Sequence, residues 1–310
     1  MIVCCGEALI DMIPRKLESG EDVYLPVAGG AVFNTAIGLG RLGEKVGFVC
    51  GVSTDLFGDV LIDALDQSSV SQDLLIRSAQ PSTLAFVKLV DGHAQYSFMD
   101  ENSAMREIMP DDLPDLPEAT TALHFGAISL IGEPCGGTYE AMMARHASSK
   151  LISLDPNIRT GFISVETGYR ARLERMCAMS DIIKVSDEDL DWLAGSDGGS
   201  TLIDKWLAAG TKVVIVTRGS EGADAHTPKG MITQASFKVD VVDTIGAGDT
   251  FNSGFLSGLS DAGLLSKDAL VSCAPDDLAP ALERAAKTAA VTVSRAGANP
   301  PWRNEIIQPT

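Results

Sequence analysis

The chain has 310 residues, of which 45% are hydrophobic and 5% aromatic, so it can bury a large core and suits helices packed on a sheet better than an aromatic-rich β-sandwich. Its 42 acidic residues outnumber its 24 basic ones, which gives a formal net charge of −18 and argues against nucleic acid as a partner. The same charge repels a free polyphosphate, so a phosphate-binding site would need local backbone amides, basic side chains and a divalent cation.

The six cysteines form no Cys-x-x-Cys pair and have no histidine at metal-ligand spacing, which argues against a zinc site or a disulfide framework. Four of them lie in apolar segments and are expected in the core, whereas Cys135 and Cys273 lie in polar, loop-like segments and could be exposed. Glu7 and Asp11 interrupt the first apolar run and no basic segment precedes it, so we predict no signal peptide. No run approaches the roughly 18 apolar residues of a membrane span, and a cytoplasmic protein is expected.

Six short β-branched runs predict buried strands, and amphipathic helical patterns lie between them. The predicted strands are Ile2 to Cys5, Val46 to Val52, Ala122 to Phe125, Leu151 to Leu154, Ile182 to Val185 and Val213 to Thr217. This alternation predicts a single α/β domain over residues 1–310, with a mainly parallel central sheet between helices on both faces and ligands at the carboxyl ends of the strands.

Two extended segments interrupt the alternation, at residues 13–27 and 83–99. The second alternates as Leu84, Phe86 and Lys88 before Asp91-Gly92, a pair typical of a hairpin turn. We expect the two segments to form a small antiparallel flap, the lid, over the ligand edge of the sheet. The alternative is that they are ordinary edge strands.

The segment Asp243 to Phe251 is the sharpest local feature. Gly246 and Gly248 flank Ala247 directly before a predicted helix, so successive backbone N–H groups and the helix dipole can form an anion hole. Asp249, in the first turn, could accept a hydroxyl proton as the oxygen attacks phosphorus. The alternative is that Asp249 only stabilises the start of an ordinary helix.

Further polar residues are predicted at the same edge. Gly29-Gly30 precedes a helix on which Asn34 could hydrogen-bond ligand hydroxyls, although a glycine pair also suits a plain tight turn. Asp11 follows the first strand, and Asn157 and Arg159 follow the fourth. Arg159 could neutralise phosphoryl charge or form a surface ion pair.

Two later segments follow strands and offer further candidates. Ser186 and the three acids after it could start a solvated helix or hold Mg²⁺ through its waters, just past a strand that contains Lys184. The segment Thr217 to Gly222 is a glycine-rich turn suited to the phosphates or ribose of a nucleotide.

In this order the clusters resemble the PfkB family of carbohydrate kinases, the ribokinase-like group, over essentially the whole chain. The segments GGAVFNTAIGLGRLG, DPNIR and IIKVSDEDL are most similar to fructokinases. The resemblance implies ATP-dependent transfer of the γ-phosphoryl group to a sugar hydroxyl, with fructose as the acceptor. The alternative acceptors are 2-keto-3-deoxygluconate, ribose or a nucleoside, and the alternative class is a sugar sensor without activity.

The resemblance also implies roles for individual residues. Asp249 is implied as the base, the amides of Gly246, Ala247 and Gly248 as the anion hole, and Arg159 as a neighbour of the transferred phosphate. The implied sugar-binding residues are Asp11, Gly29, Gly30, Asn34 and Asn157, and the implied nucleotide-binding residues are Lys184, Ser186, Thr217, Gly219, Gly222 and Gly248.

Metal ions and pairing complete these expectations. Many family members carry Asn-x-x-Glu where this chain has Ser186 and Asp189, so we expect Asp189 to reach Mg²⁺ through water. Asp243 and Ile245 match the border of a potassium site in several relatives. Leu84, Phe86 and Leu89 on one side of the lid suggest a homodimer paired through the lid.

Overall fold

A computed structural model describes residues 1–90 and 93–306, with the side chains of 88–90 and 93–96 left outside the description. The strands are β1 (Ile2–Cys5), β2 (Leu9–Lys16), β3 (Asp22–Gly29), β4 (Val46–Val49), β5 (Gly51–Ser53), β6 (Val70–Ser71), β7 (Ile76–Ser78), β8 (Leu84–Val90), β9 (His93–Met99), β10 (Ala122–Gly126), β11 (Leu151–Asp155), β12 (Ile182–Ser186), β13 (Val213–Thr217), β14 (Ala223–Thr227) and β15 (Gly230–Gln234). The α-helices are α1 (Ala31–Arg41), α2 (Leu56–Gln67), α3 (Cys135–His146), α4 (Glu166–Ala178), α5 (Asp187–Ala194), α6 (Gly199–Ala209), α7 (Ala247–Asp261), α8 (Lys267–Ser272), α9 (Ala279–Val293) and α10 (Arg303–Ile306).

The central sheet has the strand order β15-β14-β13-β12-β11-β10-β1-β4-β6. Every neighbouring pair from β13 to β6 is parallel, and the two pairs at the β14-β15 end are antiparallel. Strands β1, β4, β10 and β11 are buried along their whole length, as a parallel sheet covered on both faces requires. The predicted mainly parallel α/β sheet is confirmed.

The helices flank this sheet in two groups. In one group α7 packs against both α1 and α9, and in the other α4 contacts α3 and α6 while α5 contacts α6. None of the helices among the described residues has the length and apolar character needed to cross a membrane.

The predicted strand from Val46 to Val52 is wrong in one respect, because it is interrupted at Cys50. β4 belongs to the central sheet, whereas β5 pairs with β7 in a separate two-stranded sheet. At Gly51 an added Cβ would lie 1.9 Å from the Ala104 carbonyl oxygen, so the chain passes too close to a neighbouring backbone for a larger residue.

The expectation that Cys135 and Cys273 could be exposed is also wrong, since all six cysteines are buried.

The lid segments form their own four-stranded sheet, in the order β3-β2-β8-β9. The alternative of ordinary edge strands in the central sheet is therefore wrong. The sheet is mixed rather than antiparallel, because β2 pairs with β8 in parallel. The first lid hairpin spans residues 9–29 rather than 13–27, so Asp11 and Gly29 lie on lid strands. The turn predicted at Asp91-Gly92 lies outside the described residues.

Candidate active site

A cavity of about 490 Å³ lies at the carboxyl edge of the central sheet, where β10 to β13 end and the lid begins. It collects residues that the sequence analysis took from six separate segments. The predicted residues that line it are Asp11, Gly30, Asn34, Asn157, Arg159, Lys184, Ser186, Asp189, Thr217, Ile245, Gly246, Ala247, Gly248 and Asp249.

A second cavity of about 960 Å³ adjoins the first and has largely apolar walls. Thr217, Thr244, Ala247 and Gly248 line both cavities, so the two meet at the start of α7. The second cavity holds two predicted nucleotide residues that the first does not, and several apolar side chains from the segment before α7 and from α7 and α9. These residues are Gly219, Gly222, Phe237, Val239, Val241, Phe251, Ala286, Ala289, Ala290 and Val293.

The start of α7 supplies backbone N–H donors at the junction of the cavities. Gly246 has φ 77°, in the left-handed region, and an added Cβ would lie 2.7 Å from the Ala298 Cβ, so glycine is required there. The Ala247 N–H donates to the Thr244 carbonyl oxygen at 3.3 Å. Within the described residues the N–H groups of Gly246 and Gly248 have no partner, so these two amides rather than Ala247 are available to an anion.

The Asp249 side chain lies in the first turn of this helix, at the wall of the cavity. Asn34 Nδ2 donates to Asp249 Oδ2 at 2.9 Å, and Asn157 Nδ2 lies 3.5 Å from Oδ1. Burial raises the pKa of the Asp249 carboxyl to about 7, against the lowering effect of the Asn34 hydrogen bond. A carboxylate with this pKa is a suitable proton acceptor near neutral pH.

Glu7, in the loop after β1, is a cavity residue that the sequence analysis missed. Its Oε1 accepts from the N–H groups of Ala31 at 2.8 Å and Val32 at 3.3 Å. Glu7 therefore caps the start of α1, although it lies 24 residues earlier in the chain. Gly30 has φ 114°, and an added Cβ there would lie 2.9 Å from the Glu7 carbonyl oxygen. The glycine before α1 therefore allows the close approach that places Asn34 beside Asp249. An acid directly after a buried strand was the available sequence signal.

Asp11 extends the cavity wall into the lid. Its carboxyl is largely buried, and burial raises its pKa to about 6. Gly29, on the paired strand β3, does not line the cavity; an added Cβ there would lie 2.4 Å from Asp11 Oδ2. Gly29 therefore leaves room for the Asp11 carboxyl.

A buried ion pair lies behind the anion hole. Lys184 Nζ is 3.0 Å from Asp155 Oδ2, and the two side chains are 6% and 4% exposed. Asn252 Nδ2 donates to the same Asp155 oxygen at 2.7 Å. Asp155 and Asn252 were not among the predicted site residues, because their role depends on contacts between β11, β12 and α7 that no local motif encodes.

The start of α5 has the hydrogen bonds of a capped helix. Ser186 Oγ accepts from the Asp189 N–H at 3.0 Å, the predicted helix cap, and Asp189 Oδ1 accepts from the Ile158 N–H at 3.1 Å. Burial raises the pKa of the Asp189 carboxyl. Arg159 donates to the neighbouring Ile158 carbonyl oxygen and forms no ion pair within the described part of the chain, so the surface ion pair is not found.

Asp243 and Ile245 lie beside the anion hole. Asp243 Oδ1 accepts from the Ile245 N–H at 3.0 Å, and Oδ2 accepts from the Gly297 N–H at 2.9 Å. Asp243 therefore joins the loop before α7 to the loop after α9, although it lines neither cavity.

The lid contacts the central domain at the cavity. The rings of Phe98, on β9, and Phe162, in the loop after β11, meet edge to face with centroids 4.4 Å apart, and both residues line the cavity. The lid therefore contributes part of the wall of the cavity that Asp249 lines.

The family model described as pfkB family carbohydrate kinase matches residues 1–305 of the chain. The chain belongs to this family. The resemblance given by the sequence motifs is thereby confirmed, and with it the ribokinase-like α/β fold and the class of carbohydrate kinases.

Individual relatives of this pfkB kinase agree with the assignment. A fructokinase of Rhizobium leguminosarum bv. trifolii is 52% identical over 267 residues, which cover 86% of this chain and 82% of that protein. A fructokinase structure from Xylella fastidiosa with bound ATP has a TM-score of 0.88 at 28% identity, covering 99% of this chain and 96% of that one. A fructokinase from Vibrio cholerae O395 in fructose, ADP and calcium ion bound form has a TM-score of 0.82 at 27% identity, covering 96% of this chain and 94% of that one.

Proposed function

We propose that this pfkB kinase transfers the γ-phosphoryl group of ATP to a hydroxyl of fructose. The observation that carries the proposal is that Asp249 lines the same cavity as Gly246 and Gly248, whose N–H groups have no partner among the described residues, and that Gly248 also lines the second cavity. The acceptor is proposed from the relatives, since the 52% identical protein is a fructokinase and a similar solved structure contains fructose and ADP.

A riboside is the second candidate acceptor. An aminoimidazole riboside kinase from Salmonella enterica, complexed with aminoimidazole riboside and an ATP analogue, has a TM-score of 0.85 at 25% identity and covers 99% of each chain. For this chain the higher identity to a fructokinase favours the hexose. A sensor without activity is disfavoured because Asp249 and both glycines before it are present.

The proposed reaction is an in-line displacement at the γ-phosphorus. The sugar hydroxyl oxygen forms a bond to phosphorus as the bond from phosphorus to the β,γ-bridging oxygen breaks, and the hydroxyl proton passes to Asp249. Asn34 holds the Asp249 carboxylate in place through its 2.9 Å hydrogen bond. The Gly246 and Gly248 amides, with Lys184 and Arg159, are proposed to stabilise the negative charge that accumulates on the phosphoryl oxygens.

The remaining predicted residues are proposed to hold the two substrates. Asp11, Gly30, Asn34 and Asn157 line the lid-covered cavity and suit the hydroxyls of a sugar. The apolar second cavity suits the adenine base, with Gly219 and Gly222 at its border and Ser186 and Thr217 nearer the phosphates.

Mg²⁺ is the proposed divalent ion. Among the side chains that the structure describes, no three from His, Cys, Asp or Glu cluster closely enough to form a protein cage for a metal. Mg²⁺ fits this arrangement because it keeps several waters and takes further ligands from substrate phosphates. Asp189, which lines the cavity, is proposed to contact one of those waters, and Asp243 and Ile245 are proposed to border a potassium ion.

Pairing and location complete the proposal. We propose that two chains pair through their lids, whose edge strand β3 carries the exposed side chains of Tyr24 and Leu25. The cytoplasm, which supplies ATP, is the proposed compartment, and cell fractionation would check it.

A coupled ADP-release assay tests the function. With MgCl₂ and KCl present, fructose is expected to give a higher kcat/KM than 2-keto-3-deoxygluconate, ribose or adenosine. Asp249→Asn is expected to lower kcat by about 10³-fold, because the base is lost while the sugar contacts remain. Asp268→Asn, an exposed acid on α8, is the matched control and should leave kcat unchanged. An active Asp249→Asn enzyme, or no ADP release with any of the acceptors, would contradict the proposal.

A further inference from the structure

The Asp155 carboxylate, at the carboxyl end of β11, joins three parts of the site. The residue is 3% exposed. Its Oδ2 accepts from Lys184 Nζ on β12 at 3.0 Å and from Asn252 Nδ2 on α7 at 2.7 Å, and its Oδ1 accepts from the Asn157 N–H at 3.1 Å. Asp155 does not line the 490 Å³ cavity, so any effect on the reaction must pass through these partners.

The first partner places a positive charge at the anion hole. Lys184 lines the cavity, and a Cβ added to Gly248 would lie 2.9 Å from its Nζ. The ammonium group is therefore next to the start of α7, where the Gly246 and Gly248 amides are available. A lysine side chain has four rotatable bonds, so a fixed acceptor is needed to hold its end group at one point.

The second partner places an amide beside the base. Asn157 has φ 42°, in the left-handed region, which is sparsely populated for residues other than glycine. The hydrogen bond from its N–H to Asp155 holds this conformation, and its Nδ2 lies 3.5 Å from Asp249 Oδ1. The same carboxylate therefore controls one neighbour of Asp249 and the cation next to it.

Stability alone does not account for this ion pair. Burying a lysine and an aspartate together removes both from water, and the desolvation penalty largely offsets their attraction. An apolar pair of similar size would hold β11 and β12 together about as well. The position of the pair directly behind the anion hole is explained if its charges act on the reaction.

We infer that Asp155 is a positioning residue for phosphoryl transfer, which holds the Lys184 ammonium at the anion hole and the Asn157 turn beside Asp249. This inference rests on the proposed role of Asp249 as the base. An asparagine at position 155 keeps an acceptor oxygen for the Asn157 N–H, and neither Asp155 nor Asn252 lines the sugar cavity. Loss of the Asp155 charge should therefore affect kcat rather than sugar binding.

The charges around Asp249 make the inference testable by pH. Asp155 on β11 and Glu7 after β1 raise the pKa of Asp249, whereas Lys184 on β12 lowers it. His124 on β10 faces Asp155 and Lys184, but burial lowers its pKa to about 4, so it stays neutral above pH 5. Asp11 in the lid, Asp189 on α5 and Arg159 line the same cavity and are unchanged in the variants below.

The experiment measures kcat and kcat/KM for fructose between pH 5 and pH 9 in two variants. Asp155→Asn removes the negative charge and should move the acid limb of the profile down by about one pH unit, whereas Lys184→Met should move it up by about one unit. Asp155→Asn should also lower kcat by about 100-fold, with KM for fructose changed by less than about threefold. The double variant should return the limb toward its original position.

Asp181→Asn is the matched control. Asp181 is another buried aspartate with a lysine partner, Lys267, and it accepts the Ile152 N–H at the opposite ends of the strands. We expect this variant to lose stability without moving the acid limb. The inference would be overturned if the acid limbs of the pH profiles of Asp155→Asn and Lys184→Met stayed in place, or if both moved in the same direction.

The activity of the wild-type enzyme distinguishes a failure of the proposed function from a failure of the inference alone. A wild-type enzyme that releases no ADP with any acceptor contradicts the proposed function and the inference together, whereas an active wild type with unmoved limbs contradicts the inference alone. Should Asp155→Asn not fold, Asn252→Ala removes one of its partners and should lower kcat about tenfold with KM for fructose unchanged. An unchanged kcat in Asn252→Ala, with no shift in Lys184→Met, overturns the inference equally.

Discussion

Burial raises the pKa of the Asp249 carboxyl to about 7 from an ordinary value of 3.8, and this shift has a cost in stability. Between these two pH values the unfolded chain loses the Asp249 proton while the folded chain keeps it. Stability therefore falls as pH rises through this window, and above about pH 7 the folded state carries a buried charge. Asp249→Asn should consequently be more stable than wild type at pH 8 by the order of 2 to 4 kcal/mol, and the advantage should vanish near pH 4.

Urea unfolding at pH 4, 6 and 8 measures this difference. Asp268→Asn, an exposed acid, serves as the control and should follow the wild type at all three values. A stability gain of Asp249→Asn that is the same at every pH would show that the gain comes from packing or hydrogen bonding rather than from the buried charge.

At this scale the sequence predicted Asp249 and its glycines because their pattern is contiguous. Asp249, Gly246 and Gly248 lie within four residues, and the start of a helix fixes where they point. Glu7, Asp155 and Asn252 were missed because, apart from the bond between Asp155 and Asn157, the partners that give them a role lie at least 24 residues away in the chain. The residues next to a single buried acid in the sequence do not indicate which donors it will hydrogen-bond in the folded chain.

At the scale of elements, the close packing of α7 on α9 positions the anion hole. A Cβ added to Gly258, on α7, would lie 2.5 Å from the Ala281 Cα on α9, and backbone atoms cannot move aside as a side chain can. Gly258→Ala should therefore push the helices apart and destabilise the fold by about 1 to 3 kcal/mol. It should also lower kcat, because Asp249 lies at the other end of the displaced helix.

Gly168→Ala is the matched control for this prediction. Gly168 is an exposed residue of α4 whose added Cβ meets only Val165 Cγ1, at 3.7 Å. Here alanine should stabilise the helix by about 0.5 to 1 kcal/mol, because it restricts the unfolded chain without a clash. Thermal melts and kcat of both variants test this prediction. A Gly258→Ala variant with unchanged stability and unchanged kcat would show that α7 and α9 are not tightly packed.

The elements that the sequence predicted best are the buried strands with continuous β-branched runs. β13 has the predicted bounds, and β12 ends one residue later than predicted, at Ser186. The short strands β6 and β7 were missed and β5 was merged with β4, since two or three residues carry too little periodicity to be told from a loop. The parallel pairing of β2 with β8 joins segments far apart in the chain, and pattern alone does not specify such a pairing.

At the scale of the whole molecule, the lid is a single sheet with two faces, and part of its apolar surface contacts the central domain. One face meets the central domain through Phe98 and Phe162, and Leu84, on the opposite face, also packs against the core. The face that the sequence suggested for pairing is therefore partly used inside the chain, and the Leu89 side chain lies outside the described residues. β3 carries exposed apolar side chains on both faces: Tyr24, 49% exposed, packs edge to face on Phe86, and Leu25, 47% exposed, lies on the opposite face.

An edge strand with exposed apolar side chains is a ready surface for pairing with a second copy. We therefore predict that the wild-type chain elutes in size-exclusion light scattering at a mass close to twice the 32.6 kDa of one chain. Leu25→Asp should shift it to a monomer, because a charge on the paired edge strand would be desolvated without a partner. Val271→Asp, at a residue 60% exposed on α8, should remain a dimer. A monomeric wild type would contradict pairing through the lid, and a monomeric Val271→Asp would place the interface elsewhere.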